Sequence, residues 1–126
     1  MPIFLNLAEV VELHRQGVER FGGSAEVRDM NLLQAAIGMP SQQFAGEFLH
    51  PDLGAMAAAY LFHIVMNHPF VDGNKRAGAL AARAFLLLNE VSFEPTEQAY
   101  GDLVLGIVRG ETTKEAATKF FRDHIK

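Results

Sequence analysis

A chain of 126 residues that is 49% hydrophobic and 21% charged suits a packed globular core and does not suit a disordered polymer. Its formal net charge of -4 and the lack of a dense basic tract argue against general binding to nucleic-acid backbones. With no cysteine, disulfides, thiolate catalysis and cysteine-ligated metals are excluded.

The length and the lack of a linker predict one domain over residues 1–126. The N-terminal run "MPIFLNLAEVVELHRQG" has no basic region, apolar run and small-residue cleavage site in order, so no signal peptide is expected. Together with the missing cysteines, this fits a reducing, cytoplasmic setting.

The elements read as helices almost throughout. In "NLAEVVELHRQGVERF", Leu7, Val10, Val11, His14, Val18 and Phe21 recur at three- and four-residue spacing. Asn6 with Glu9 forms a capping-box pattern, and Gly22-Gly23 supplies the stop. A shorter helix follows, opened by Asp29 and ended by Gly38 and Pro40. "SQQFAGEFLHPD" has no clear period and reads as a loop or small flap, with Phe44 and Phe48 as candidate anchors.

A third helix is expected from Asp52 to Asn67, where Ala55, Ala57, Ala58 and Ala59 permit close helix approach. Its apolar run covers about 14 residues, short of the roughly 20 that span a membrane, so a buried helix is expected. The fourth helix starts near Asn74 and runs through "KRAGALAARAFLLLNE", with Leu80, Ala84, Leu87 and Leu88 as its stripe. It is apolar over much of its circumference, which predicts a position at the centre of the domain. A fifth covers Thr96 to Arg109, and a sixth begins at Thr112, paired with Glu115 as a second capping box, and reaches His124. Only "VSFEP" suggests a strand. The fold class is therefore all-α, a bundle of about six helices.

Between the third and fourth helices stands "HPFVDGNKR", residues 68–76. Pro69 cannot continue a helix normally, and Gly73 permits a positive-φ turn, so the chain makes a short loop and starts a new helix near Asn74. The backbone N–H groups of Gly73, Asn74, Lys75 and Arg76 then lie at a helix N-terminus, a natural anion cradle. Arg76 adds a planar fork for phosphate oxygens, and Lys75 adds a mobile point charge. Two cations in a first helical turn oppose the helix dipole by some tenths of a kcal/mol each, and a bound polyanion removes the conflict. Asp72 repels phosphate directly but suits Mg²⁺ held between itself and phosphate oxygens. His68 suits a base near neutral pH, and Phe70 suits an apolar pin for the loop.

These residues support phosphate, a divalent cation and a base without naming the group transferred. The plain alternative also stands at this point: an ordinary Asp-Gly turn, Asn74 as an N-cap and a solvated cationic helix start. His14 and His63 fall on apolar faces and read as hydrogen-bonded structural residues, and His50 belongs to the flap. Arg83, seven residues beyond Arg76, reads as a surface or capping residue that shares a face with the groove. No "HExxH", GxGxxG or Walker-type loop occurs.

The string "HPFVDGNKR" resembles the signature of the Fic/Doc family, and its "NKR" ending resembles the death-on-curing (Doc) branch. The resemblance extends through "LHRQGVERFGG", "VRDMNLLQAAIGMPSQQFAG", "PDLGAMAAAYLFHIVMNHPF" and "GNKRAGALAARAFLLLNE". It implies an all-α core with the signature loop between two central helices, and transfer of a phosphate-containing group from a nucleotide to a protein hydroxyl. By residue, it implies His68 as general base, Phe70 as loop anchor and Asp72 as the Mg²⁺-binding acid. Gly73 and Asn74 are implied as anion-hole positions, with the Asn74 side chain beside one phosphate, and Arg76 as the grip on another.

AMP-transferring relatives usually carry Gly where this chain has Lys75, and a second Arg where it has Ala79. Both differences resemble Doc, which implies use of ATP with transfer of the γ-phosphoryl group to elongation factor Tu and arrest of translation. Gly73, where Doc toxins often carry Ala, departs in a permissive direction. Nucleotidyl transfer, or a non-catalytic helical module that binds phosphate or peptide, remain as alternatives. The resemblance also implies an antitoxin whose partly disordered tail folds along a groove. No Ser/Thr-x-x-x-Glu-Gly/Asn inhibitory pattern occurs, so inhibition in trans is expected, with no direct nucleic-acid or membrane partner.

Overall fold

A computed structural model describes residues 1–126 as six helices and one very small hairpin. In chain order these are α1 (Leu7–Phe21), α2 (Met30–Gly38), β1 (Gln43–Phe44), β2 (Glu47–Phe48), α3 (Leu53–Asn67), α4 (Asn74–Leu88), α5 (Glu97–Val108) and α6 (Lys114–His124). The all-α bundle expected from the sequence is the fold observed.

Side-chain caps account for most of the helix starts. At α1 the Glu9 N–H donates to Asn6 Oδ1 and the Asn6 N–H donates to Glu9 Oε1, both at 2.9 Å, completing the capping box. Asp29 accepts from the Leu32 N–H and Asp52 from the Ala55 N–H, as their positions predict. Thr96 caps α5 through the Ala99 N–H. The cap of α6 is Thr113, which accepts from the Ala116 N–H at 3.0 Å. The cap therefore lies one residue later than Thr112, and the expected capping box with Glu115 does not form, because Ala116 stands three residues beyond Thr113.

The central helix is α3, not α4. Ten of its 15 residues are buried, Gly54 to Leu61 with Ile64 and Val65, and it packs against α2, α4, α5 and α6. The stripe expected on α4 was misplaced as well. Its buried face is Ala77, Gly78, Ala81, Ala82, Phe85 and Leu86, whereas Leu87 is 77% exposed. The reason is steric. A Cβ on Gly78 would lie 3.1 Å from the Leu61 carbonyl, so small residues face α3 and bulky ones are displaced to the flanks.

Tyr60, Phe70, Phe85 and Phe121 are fully buried large side chains of the core, each stabilising by about 1.5–3 kcal/mol relative to exposure. Tyr60 also ties the N-terminal segment down, because its hydroxyl accepts from the Leu5 N–H at 2.9 Å. Burial pushes that phenol up to about 12.

The unpatterned stretch after α2 contains the β1–β2 hairpin, with Ala45 and Gly46 at positive φ in its tip. Phe48 packs on Phe4 with ring centroids 5.7 Å apart, but Phe44 is 76% exposed and anchors nothing. "VSFEP" forms no strand. Phe93 makes only an isolated bridge to Ile125, and its ring stacks on Phe121 at 4.9 Å. No helix is long and apolar enough to cross a membrane.

Candidate active site

The connection from α3 to α4 is short, and its floor is supplied by α1. His68 caps α3 in the left-handed conformation, φ 50 and ψ 53. Phe70 is fully buried, and its ring lies parallel to that of His14, with centroids 3.7 Å apart and planes 8° from parallel. His14 is itself only 3% exposed. Its Nε2 lies 2.7 Å from the Asp72 carbonyl oxygen; a carbonyl can only accept, so Nε2 carries the proton. His14 is a hydrogen-bonded structural histidine, as expected, and the structure it supports is this loop.

Asn74 closes the turn from inside. Its Oδ1 accepts the Phe70 N–H and its Nδ2 donates to the Phe70 carbonyl, both at 2.9 Å, and the residue is 5% exposed. The expectation that this side chain sits beside a phosphate is therefore corrected. Its amide is committed to the loop, and only its backbone N–H faces the helix start. Gly73 at φ 77 is the N-terminal cap and offers no side-chain acceptor. A Cβ there would stand 3.4 Å from His14 Nε2.

In consequence α4 begins unlike the other five helices. It alone has no side-chain cap, and, as in α2 and α3, no acid lies in its first turn. The N–H groups of Gly73, Asn74, Lys75 and Arg76 have no acceptor in the chain, so the positive end of the dipole is open. Lys75 is exposed and free of carboxylate partners. The Arg76 guanidinium lies over the Phe21 ring, 4.2 Å from its centre, and makes no salt bridge within the chain. Gly17 makes room for this side chain, since a Cβ there would be 3.1 Å from Arg76 Cδ.

These groups open into one groove of about 900 Å³. His68, Asp72, Gly73, Asn74, Lys75 and Arg76 all line it, so the six polar or glycine positions picked out of the loop sequence converge on one place, whereas Phe70 is buried beneath it. The His68 ring is exposed and has no hydrogen-bond partner in the chain. Asp72 is also exposed; its Oδ2 accepts the Ser24 N–H at 3.1 Å, and its Oδ1 is free. A lone carboxylate suits Mg²⁺ that arrives with phosphate oxygens, because Mg²⁺ is commonly held by one or two carboxylates and substrate. No group of three or more His, Asp or Glu side chains forms an all-protein metal cage.

The far wall comes from α5, which sequence reasoning did not connect to the site. Tyr100, Gly101, Val104, Leu105 and Val108 make it mainly apolar, with Glu97 at one end. The Tyr100 hydroxyl donates to the Ala79 carbonyl at 2.8 Å, joining α5 to α4, and burial pushes its phenol up. Arg83 does not enter the groove lining. Its Nη2 pairs with Glu97 at 2.9 Å and its guanidinium lies over Tyr100 at 4.6 Å. No periodicity in α5 distinguishes a groove wall from a surface face. The structure shows it instead, by leaving Leu105 and Val108 exposed on the groove side.

Two of the remaining histidines, His50 and His63, form a separate cluster. Lys114 Nζ lies 3.1 Å from both His50 Nε2 and His63 Nε2, joining α6, the hairpin return and α3. Burial and the adjacent ammonium pull His63 down to about 4 and lower His50 as well.

Known proteins match the part of the chain that builds this loop. The model of the Fic/DOC family matches residues 4–86, which include α1 to α4 up to Leu86 and the whole connecting loop. The chain is 32% identical over 115 residues to "Protein kinase doc" of Escherichia phage P1, covering 90% of this chain and 89% of that protein. It is 45% identical over 71 residues to "Toxin Doc" of Mycolicibacterium smegmatis, covering 56% of this chain and 55%, about half, of that relative. The whole α5 wall and all of α6 lie beyond the family match.

Proposed function

The chain belongs to the Fic/DOC family, on its Doc branch, and from that premise we propose that it is a Doc-like toxin that transfers the γ-phosphoryl group of ATP to a hydroxyl of a target protein. The observation that carries this reading is the open N-terminus of α4. Its free N–H groups, Lys75 and Arg76 face the same groove as an exposed imidazole and an exposed carboxylate. A polyphosphate satisfies the first set, and a hydroxyl nucleophile needs the second.

In this reading the polyphosphate lies across the α4 N-terminus. The N–H groups of Gly73 and Asn74 and the Arg76 fork hold its oxygens, and Lys75 places a further positive charge against it. Asp72 would hold Mg²⁺, which when bound neutralises charge on the phosphate oxygens. His68 accepts the proton of the target hydroxyl. The hydroxyl oxygen forms a bond to the γ-phosphorus as the bond to the β–γ bridging oxygen breaks, and ADP leaves. Lys75 and Ala79, where AMP-transferring relatives usually carry Gly and Arg, support transfer of the γ-phosphoryl rather than the nucleotidyl group. By the same resemblance the target is elongation factor Tu, with arrest of translation as the outcome. The partner is an antitoxin whose tail folds along the apolar wall of the groove.

The test is incubation with ATP labelled at the γ- or the α-phosphate and purified elongation factor Tu, followed by mass spectrometry of the factor. Label from the γ position and an added phosphate are expected. An added AMP, labelled from the α position, would replace this reading with nucleotidyl transfer. His68→Ala should retain ATP binding and lose about 10²–10⁴-fold in transfer rate, the usual contribution of a general base.

A further inference from the structure

The segment Ser24–Asp29, between α1 and α2, lines none of the groove, yet it hydrogen-bonds to Asn67, His68, Pro69, Val71 and Asp72, five of the six residues from Asn67 to Asp72. The Ser24 N–H donates to Asp72 Oδ2 at 3.1 Å, and the Val71 N–H donates to the Glu26 carbonyl at 3.1 Å. Val27 forms a bridge with Phe70. The N–H groups of Arg28 and Asp29 both donate to the Pro69 carbonyl, at 2.7 and 3.0 Å. The Arg28 side chain completes the set, donating from Nε to the His68 carbonyl at 2.8 Å and from Nη2 to the Asn67 carbonyl at 3.1 Å.

We propose that Arg28 is a positioning residue for His68, an inference that rests on His68 being the base. The direction of a Cα–Cβ bond is set by the two peptide planes that flank it. For His68 those planes carry the carbonyls of Asn67 and His68, and Arg28 grips both. One rigid, planar guanidinium therefore fixes both planes relative to each other. The conformation needs such a hold, because φ 50 with ψ 53 is left-handed and disfavoured for a residue with a Cβ. The two carbonyls also end α3, where the dipole is negative and a cation is favourable. Arg28 makes no bond to the imidazole and is not itself among the groove-lining residues, so it acts on His68 through the backbone alone.

The experiment compares Arg28→Ala and Arg28→Lys with the parent protein and with Tyr60→Phe, which loosens the N-terminal segment far from the loop. Two readouts are taken: phosphoryl transfer from ATP to elongation factor Tu, and the backbone chemical shifts and HN–Hα coupling of His68, which report φ. In Arg28→Ala, kcat should fall about 10- to 100-fold with KM for ATP within about twofold, the pattern of a misplaced base beside an intact nucleotide site. His68 should leave positive φ. Arg28→Lys should recover only part of the rate, because a point charge cannot hold two carbonyls in a fixed relation. Tyr60→Phe should lose melting temperature without losing kcat. A positive φ retained in Arg28→Ala, or a kcat loss that Tyr60→Phe reproduces at equal melting temperature, would overturn the proposal. If His68→Ala is as active as the parent, the reading of His68 as base fails, and the φ measurement still decides whether Arg28 clamps the loop.

Discussion

His14 offers the sharpest test of how the loop is held, because its two contacts can be removed one at a time. The ring stacks on Phe70 at 3.7 Å, and Nε2–H donates to the Asp72 carbonyl at 2.7 Å, while Nδ1 is buried without a partner. His14→Phe keeps the stack and deletes the donor. The lost hydrogen bond costs about 0.5–1.5 kcal/mol, and removal of the unpaired Nδ1 offsets this by a similar amount, about 1–3 kcal/mol at most. Thermal stability should therefore change little. His14→Gln can keep the donor but loses an aromatic pair worth about 0.5–1.5 kcal/mol beyond its buried area. His14→Ala loses both and leaves a cavity, at a cost of about 2–4 kcal/mol by comparison with other large-to-Ala core changes. For a domain of this size that is a fall in Tm of roughly 10 °C. Melting should rank parent and His14→Phe together, then Gln, then Ala. Transfer assays should separate parent from His14→Phe, because the Asp72 backbone is then untied beneath the carboxylate proposed to hold Mg²⁺. A His14→Phe protein with parental kcat and an unchanged Mg²⁺ requirement would refute the claim that this hydrogen bond positions Asp72. An Ala variant that melts like the parent would refute the packing argument itself.

Asn74→Asp replaces the donor to the Phe70 carbonyl with a second acceptor in a buried site. Urea unfolding should show a loss of about 1–3 kcal/mol or more, as for a buried polar group left unpaired. Phe21→Leu removes the ring under Arg76; since an exposed cation–π contact contributes about 0.5–1 kcal/mol, KM for ATP should rise about two- to fivefold with Tm little changed. His63 is pulled down to about 4, so the unfolded chain binds its proton first as the pH falls. The stability it contributes is present above about 6.5 and is lost between there and about 4. Because the ring is only partly buried, the loss should be on the order of 1–2 kcal/mol, read as the difference in pH dependence of unfolding between parent and His63→Gln.

The helices and the loop were legible because each rests on local chemistry. Asn6, Asp29 and Asp52 announce their helices through their own side chains, and Pro69 and Gly73 interrupt the chain by backbone geometry alone. Packing was less legible. Its apolar circumference placed α4 at the centre, but the buried contact with α3 uses Ala77, Gly78, Ala81 and Ala82, and small residues carry little weight in a hydrophobic stripe. The role of Asn74 was misread for a related reason. Its neighbours are cations, while its partner Phe70 is four residues back across a turn whose shape the sequence does not specify. Arg28 lay outside reach altogether, because its bonds span 39 and 40 residues.

The nine residues from His68 to Arg76 divide by direction. Phe70 and Asn74 face inward and, with His14, fix the turn; His68, Asp72, Lys75 and Arg76 are left to the groove. The uncapped start of α4 follows from this division. An Asn, Asp, Ser or Thr cap is generally worth about 1 kcal/mol, and the other five helices each have one. At α4 the cap position needs positive φ so that the chain can turn over His14, which favours Gly73, and the next residue has its side chain committed to Phe70. The loop's own construction thus leaves the N–H groups free, and Lys75 and Arg76 add to the positive field instead of relieving it. A bound anion supplies what the helix start lacks, so ligand binding should stabilise α4 as well as occupy the groove.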